Sequence, residues 1–241
     1  MEGEVLLMNK KSKTGMIPYI KKHWFWIAVN IGALIPLLLL ILDVINGRLV
    51  DPIADITNRT GYTALVLLVL SLAVTPLNSL TGWRTVLTVR KSLGLQGFFY
   101  VCLHLFTFLG LDYAFNLSQI LGDALVTKPY IIVGFSAFLI LTPLAITSTK
   151  GWMKRLGRNW KKLHRLVYLA VPLAVIHYFW VLKVPVEPVI YGIVVALLLV
   201  ARIPTVRRHL NQVRKFLDSK PAVSRPKGRL EPMPEPVRNA E

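Results

Sequence analysis

The chain has 241 residues, 54% of them hydrophobic and 17% charged, with 29 Lys and Arg against 12 Asp and Glu. Soluble domains hold about 45–50% apolar and about 25% charged residues, so a single water-soluble core is excluded. The apolar residues fall in blocks of roughly 18–22, long enough to cross a ~30 Å hydrocarbon layer. An integral membrane protein is the reading. The single cysteine, Cys102, excludes an internal disulfide framework and a multi-cysteine metal or iron–sulfur site. Inside an apolar block it reads as a small core residue.

Residues 1–23 form a basic arm with Lys10, Lys11, Lys13, Lys21 and Lys22. The first apolar run, 24–45, has no small-residue cleavage site after a short apolar region. It is therefore a retained helix and not a signal peptide. Five more spans are predicted at 62–80, 93–113, 130–147, 163–182 and 188–203. Trp24, Tyr62, Trp83, Tyr113, Tyr130 and Trp180 sit near span ends, as interfacial aromatics do. Pro36, Pro76, Pro143 and Pro172 fall inside or near the ends of spans, where membrane helices tolerate kinks. No internal repeat stands out beyond a weak likeness between the third and fifth spans. Residues 206–241 make a basic, Pro-rich tail, and from Leu217 onward its composition predicts disorder.

Orientation follows from the loops that carry Lys and Arg. Twenty-five of the 29 lie in the N-terminal arm, the second–third loop, the fourth–fifth loop and the tail; the other four are Arg48, Arg59, Lys128 and Lys183. This split predicts six spans with both termini in the cytoplasm. It also explains the pI near 10.3. The basic charge is a topology signal and an attraction to anionic headgroups, not a nucleic-acid surface. The loops leave no room for a nucleotide-binding domain, and Gly94-Leu95-Gln96-Gly97 lacks the third glycine of a phosphate loop.

Ionisable side chains inside a bilayer are expensive and mark function. No Asp, Glu, Lys or Arg falls in the middle of a span; His104 in the third and His177 in the fifth do. His164 begins the fifth span at the cytoplasmic interface, and His23 and His209 flank the outermost spans. The missing carboxylates count against a small proton-coupled transporter with structural histidines, which stands as one alternative. Two buried neutral imidazoles suit axial ligation of a haem iron. At 1.5 Å per residue His104 lies ~16 Å and His177 ~21 Å along their helices, close enough in level to bracket one macrocycle. His164 lies ~15 Å from that level, so a second haem or another inner site is its expected place. Thirteen residues separate His164 from His177, which puts them on opposed faces of an ideal helix unless Pro172 resets the phase. Gly97 and Ala170 each sit seven residues before their histidine, either to leave room for a flat ring or to pack helices tightly.

A family likeness rests on several segments. They are Arg90-Lys91-Ser-Leu-Gly-Leu, Tyr100-Val-Cys-Leu-His104, Ile146-Thr-Ser-Thr149, Trp160-Lys-Lys-Leu-His164-Arg165-Leu-Val-Tyr168 and His177-Tyr178-Phe-Trp180. Over roughly residues 20–205 these resemble the ferric-reductase-like transmembrane family. Within it the chain is most similar to the haem-binding membrane subunits of bacterial periplasmic methionine-sulfoxide reductase systems. The resemblance implies an all-α integral membrane protein, with a six-helix haem-binding bundle over 24–205, in the bacterial inner membrane. It implies b-type haem held by His104, His164 and His177, electrons from membrane quinone, and a periplasmic molybdopterin-containing partner. It also suggests FMN, with Arg90, Lys91 and Arg165 as contacts for flavin, quinone or propionate. Where the family has two arginines before the third span, this chain has Arg90 and Lys91, and lysine lacks the planar fork for bidentate contact. The expected function is electron transfer without a substrate-reducing site of its own. A stand-alone ferric reductase or another cytochrome b subunit is the alternative within the class.

Overall fold

A computed structural model describes residues 16–182, 184 and 186–218. Of the expected arm 1–23, residues 1–15 lie outside the described residues while 16–23 are helical, and of the expected tail 206–241, residues 219–241 lie outside them. Every regular element among the described residues is helical. They are α1 (Met16–Gly32), α2 (Ile35–Ile45), α3 (Pro52–Thr81), α4 (Arg90–Thr107), α5 (Leu117–Val126), α6 (Tyr130–Ile146), α7 (Lys150–Leu156), α8 (Arg158–Leu163), α9 (Val167–Val181), α10 (Val186–Val200) and α11 (Pro204–Asp218).

Four stretches are long and apolar enough to cross a membrane: Ile20–Ile45, Pro52–Thr81, Arg90–Asp112 and Arg158–Val181. Two helix pairs, α6 with α7 and α10 with the start of α11, bend by 96° and 82° and bring the total to six when each counts as one span. The protein is a multi-pass, all-helical membrane protein.

The span boundaries have local causes. The first span breaks before Pro36, which has no N–H to donate. In an unbroken helix the Leu37 N–H would bond to the Ala33 carbonyl. Tyr100 of α4 inserts its hydroxyl there, accepting from Leu37 N at 3.1 Å and donating to Ala33 O at 2.8 Å. The second span starts ten residues before the expected 62. Asp51 caps it by accepting from Ala54 N at 3.1 Å, and Pro52 occupies the first turn. Its polar first turns hid it from a hydropathy reading. Gly82 ends it at φ +71°, a left-handed conformation glycine adopts without steric cost. The fifth span winds more tightly, as a 3-10 turn, at His164–Leu166, while Pro172 sits inside continuous α9.

The core forms where α3 packs along α4 and α6 along α9. Leu65, Leu68, Leu72, Leu141, Ala170 and Val171 are buried there together. Pro76 leaves the Leu72 carbonyl without its helical donor; Arg202, at the end of α10, donates Nη2 to it and Nη1 to the Tyr168 hydroxyl. That contact ties the bend before α11 to the core. The α11 helix and the short α5 helix were not legible as elements in the sequence. Beside α5, the Tyr113 hydroxyl and the Lys128 ammonium both donate to Asp123 and hold its carboxyl below the usual range.

Candidate functional site

His104 on α4 and His177 on α9 meet across the bundle. Their ring centres stand 6.1 Å apart and their planes cross at 82°. Each imidazole is held by a backbone carbonyl of the neighbouring helix: His104 Nδ1 lies 2.9 Å from Thr57 O on α3, and His177 Nδ1 lies 2.8 Å from Tyr130 O on α6. A carbonyl can only accept, so both Nδ1 atoms carry the proton and both Nε2 lone pairs stay available. A carbonyl behind a ring nitrogen is the usual means of orienting a metal-binding histidine.

The separation can be compared with ligand geometry. A metal–imidazole bond is about 2.0–2.1 Å and the ring centre lies ~1.2 Å further, so two imidazoles on opposite sides of one metal stand ~6.4 Å apart. The observed 6.1 Å meets that requirement. Among the described residues no three of His, Cys, Asp and Glu converge on a common point. A bare structural ion needs about four protein ligands. Two opposed imidazoles suit an iron whose other positions are filled by a macrocycle. The residues fit haem.

His164 stands elsewhere. Its Nε2 is 3.1 Å from Thr147 Oγ1, whose own hydrogen goes to Pro143 O at 2.6 Å, so the imidazole donates to the threonine. Trp160, one helical turn earlier, stacks on it with ring centres 4.0 Å apart and donates its indole N–H to Thr147 O. Arg90 is within electrostatic reach of His164 and of Arg202. Arg90, Lys91 and Arg165 are exposed at this end of the bundle. A cavity of about 290 Å³ opens nearby at the bend between α10 and α11, lined by Arg202, Pro204, Arg207, Arg208 and Asn211. The structure thus brings His104 and His177 together and leaves His164 in a separate basic quarter.

The small residues seven before each histidine take the second of the two expected roles, helix packing. A Cβ on Gly97 would meet Leu68 Cγ at 3.0 Å, and Ala170 is fully buried in the core. Both serve tight helix packing. The glycines that admit the imidazoles are Gly61 and Gly134, on the opposite helices. Sequence reasoning missed them together with Thr57, Tyr130 and Thr147, whose contributions are carbonyls or a hydroxyl that no composition signal marks.

Paired histidines between facing membrane helices are the arrangement that a haem-binding bundle requires. The family model described as "Ferric reductase like transmembrane component" matches residues 60–175, the stretch that contains His104, His164 and most of the bundle core. Three similar relatives carry one name, "Protein-methionine-sulfoxide reductase heme-binding subunit MsrQ". One is from Xanthomonas campestris pv. campestris strain 8004, 50% identical over 150 residues that cover 62% of this chain and 68% of the relative. A second, from Xanthomonas axonopodis pv. citri strain 306, has the same identity and coverage. A third, from Herminiimonas arsenicoxydans, is 45% identical over 178 residues, covering 72% of this chain and 81% of the relative. The chain belongs to this MsrQ family.

Proposed function

We propose that this chain is the haem-carrying, electron-transfer subunit of a bacterial inner-membrane system that repairs methionine sulfoxide in periplasmic proteins. His104 and His177 are the axial pair of a b-type haem. Electrons enter from membrane quinone and leave to a periplasmic molybdopterin-containing reductase. The observation that carries the reading is the 6.1 Å spacing of two imidazoles whose Nδ1 atoms are both engaged by carbonyls. Membership of the family supports the haem and the reductase partner.

Bound haem supplies one-electron redox chemistry, and two imidazole ligands leave no open iron position for substrate. The chain's own residues fix the rings, exclude water and set the depth of the site. Substrate reduction then belongs to the partner. Loss of haem on replacing either histidine tests the assignment.

His164, with Arg90, Lys91 and Arg165, serves the cytoplasmic side, where electrons enter through a quinone, a second haem or FMN. The shared chemistry there is an anionic group: a flavin phosphate, a propionate or a lipid headgroup. Arg90→Ala is expected to lower flavin or haem content of the purified protein at least several-fold. Unchanged cofactor content and activity would leave Arg90 only its part in orientation. Both termini face the cytoplasm in this reading, on the strength of the 25 of 29 basic residues at one side. A reporter that works only in the periplasm should be silent when fused at the C-terminus; activity there would overturn the six-span arrangement.

A further inference from the structure

The two histidine seats are copies of one another. His104 and Thr57 are 47 residues apart, and so are His177 and Tyr130. In each case a glycine follows the carbonyl by four residues, Gly61 after Thr57 and Gly134 after Tyr130. Each glycine faces its own histidine. A Cβ on Gly61 would lie 2.9 Å from His104 Nδ1, and one on Gly134 would lie 2.7 Å from His177 Nδ1. The correspondence continues along the same helix face. Ala64 and Leu68 follow Gly61 as Ala137 and Leu141 follow Gly134, and all four are buried. Residues three and seven positions on lie on one face of a helix. Across from them, buried Gly97 and Ala170 take equivalent positions seven before each histidine.

From this we infer that residues 57–107 and 130–180 form an internal repeat, each half a helix pair that carries one ligand. Gly61 and Gly134 are the positioning residues that set the plane of each imidazole. The inference rests on the proposed haem role of the pair. The mechanism is steric and polar together. A glycine lets the ring lie flat against the neighbouring helix, within hydrogen-bond distance of a carbonyl one turn earlier. An alanine there would push the ring away, because real Cβ contacts do not come under 3.0 Å. The Nδ1–H would lose the carbonyl, and the ring would lose both its tautomer and its orientation. Since each carbonyl fixes one plane, the two seats together set the 82° crossing.

The test uses the full-length, haem-loaded protein. Its ferric low-spin EPR signal should be strongly anisotropic, the signature of near-perpendicular axial imidazoles; the ordinary rhombic spectrum of near-parallel rings would overturn the inference without any variant. Gly61→Ala and Gly134→Ala should each change that line shape and speed haem loss to apomyoglobin by roughly 10–100-fold, the usual effect of removing a ligand's supporting partner. Gly97→Ala and Gly192→Ala are the controls. The first meets Leu68 at 3.0 Å, away from either imidazole, and the second meets Val175 at an ordinary 3.7 Å. Both should keep the wild-type line shape, whatever the first does to stability. If Gly61→Ala and Gly134→Ala hold haem with wild-type line shape and loss rate, the inference fails while the haem assignment stands. If the wild-type chain carries no haem, it is the assignment that fails.

Discussion

Replacing His104 or His177 by alanine is expected to remove the principal haem signal, each change alone being sufficient. In the proposed reading each ring would supply one of the two protein bonds that hold the haem, so either loss would leave it tied to a single helix pair and free to dissociate on purification. The loss also leaves the remaining imidazole buried with its Nδ1 on a carbonyl but its Nε2 unpartnered, at a cost of about 1–3 kcal/mol on protein scales. The symmetry of the two seats predicts equal severity. His104 bonds to Thr57 O at 2.9 Å and His177 to Tyr130 O at 2.8 Å, so neither ring is the better held. The measurement is haem content and visible spectrum of each purified variant. A variant that keeps the wild-type haem content would exclude that histidine from the axial pair.

His164→Ala is expected to behave differently. Its imidazole donates to Thr147 and stacks on Trp160, in a quarter that also holds Arg90. The haem between His104 and His177 should survive, while reduction by quinol should slow at least tenfold. Loss of all haem from His164→Ala, with His177→Ala unaffected, would move the axial pair to His104 and His164. The 3-10 turn at His164–Leu166 bears on this contrast. Its tighter 3-10 winding interrupts the regular α-helix between His164 and His177, so the ideal 100° per residue that a count of thirteen assumes does not hold across it.

The spans and the histidine pair were legible because both leave one-dimensional marks. Apolar blocks reveal crossings, and a histidine in such a block is conspicuous. Matching depths from residue counts then paired His104 with His177. The seats were not legible. Thr57 and Tyr130 act through main-chain oxygens, which every residue has, and Gly61 and Gly134 act by having no side chain. Their 47- and 43-residue spacings become visible only once helix contacts are known. The polar first turns of α3 were lost for a related reason: PIADITNRTG is not apolar, and its helicity comes from the Asp51 cap and Pro52. The α11 helix was hidden by its basic composition, which reads equally as a solvated tail.

The most direct measurement is the visible spectrum of the purified chain, recorded oxidised and again after a quinol is added. A Soret band that shifts on reduction, and shifts back when a methionine-sulfoxide reductase partner and its substrate are supplied, is the predicted result. It places haem, quinone and partner on one electron path. A chain with no Soret band would contradict the assignment at its root and return the paired histidines to a transporter or a packing role.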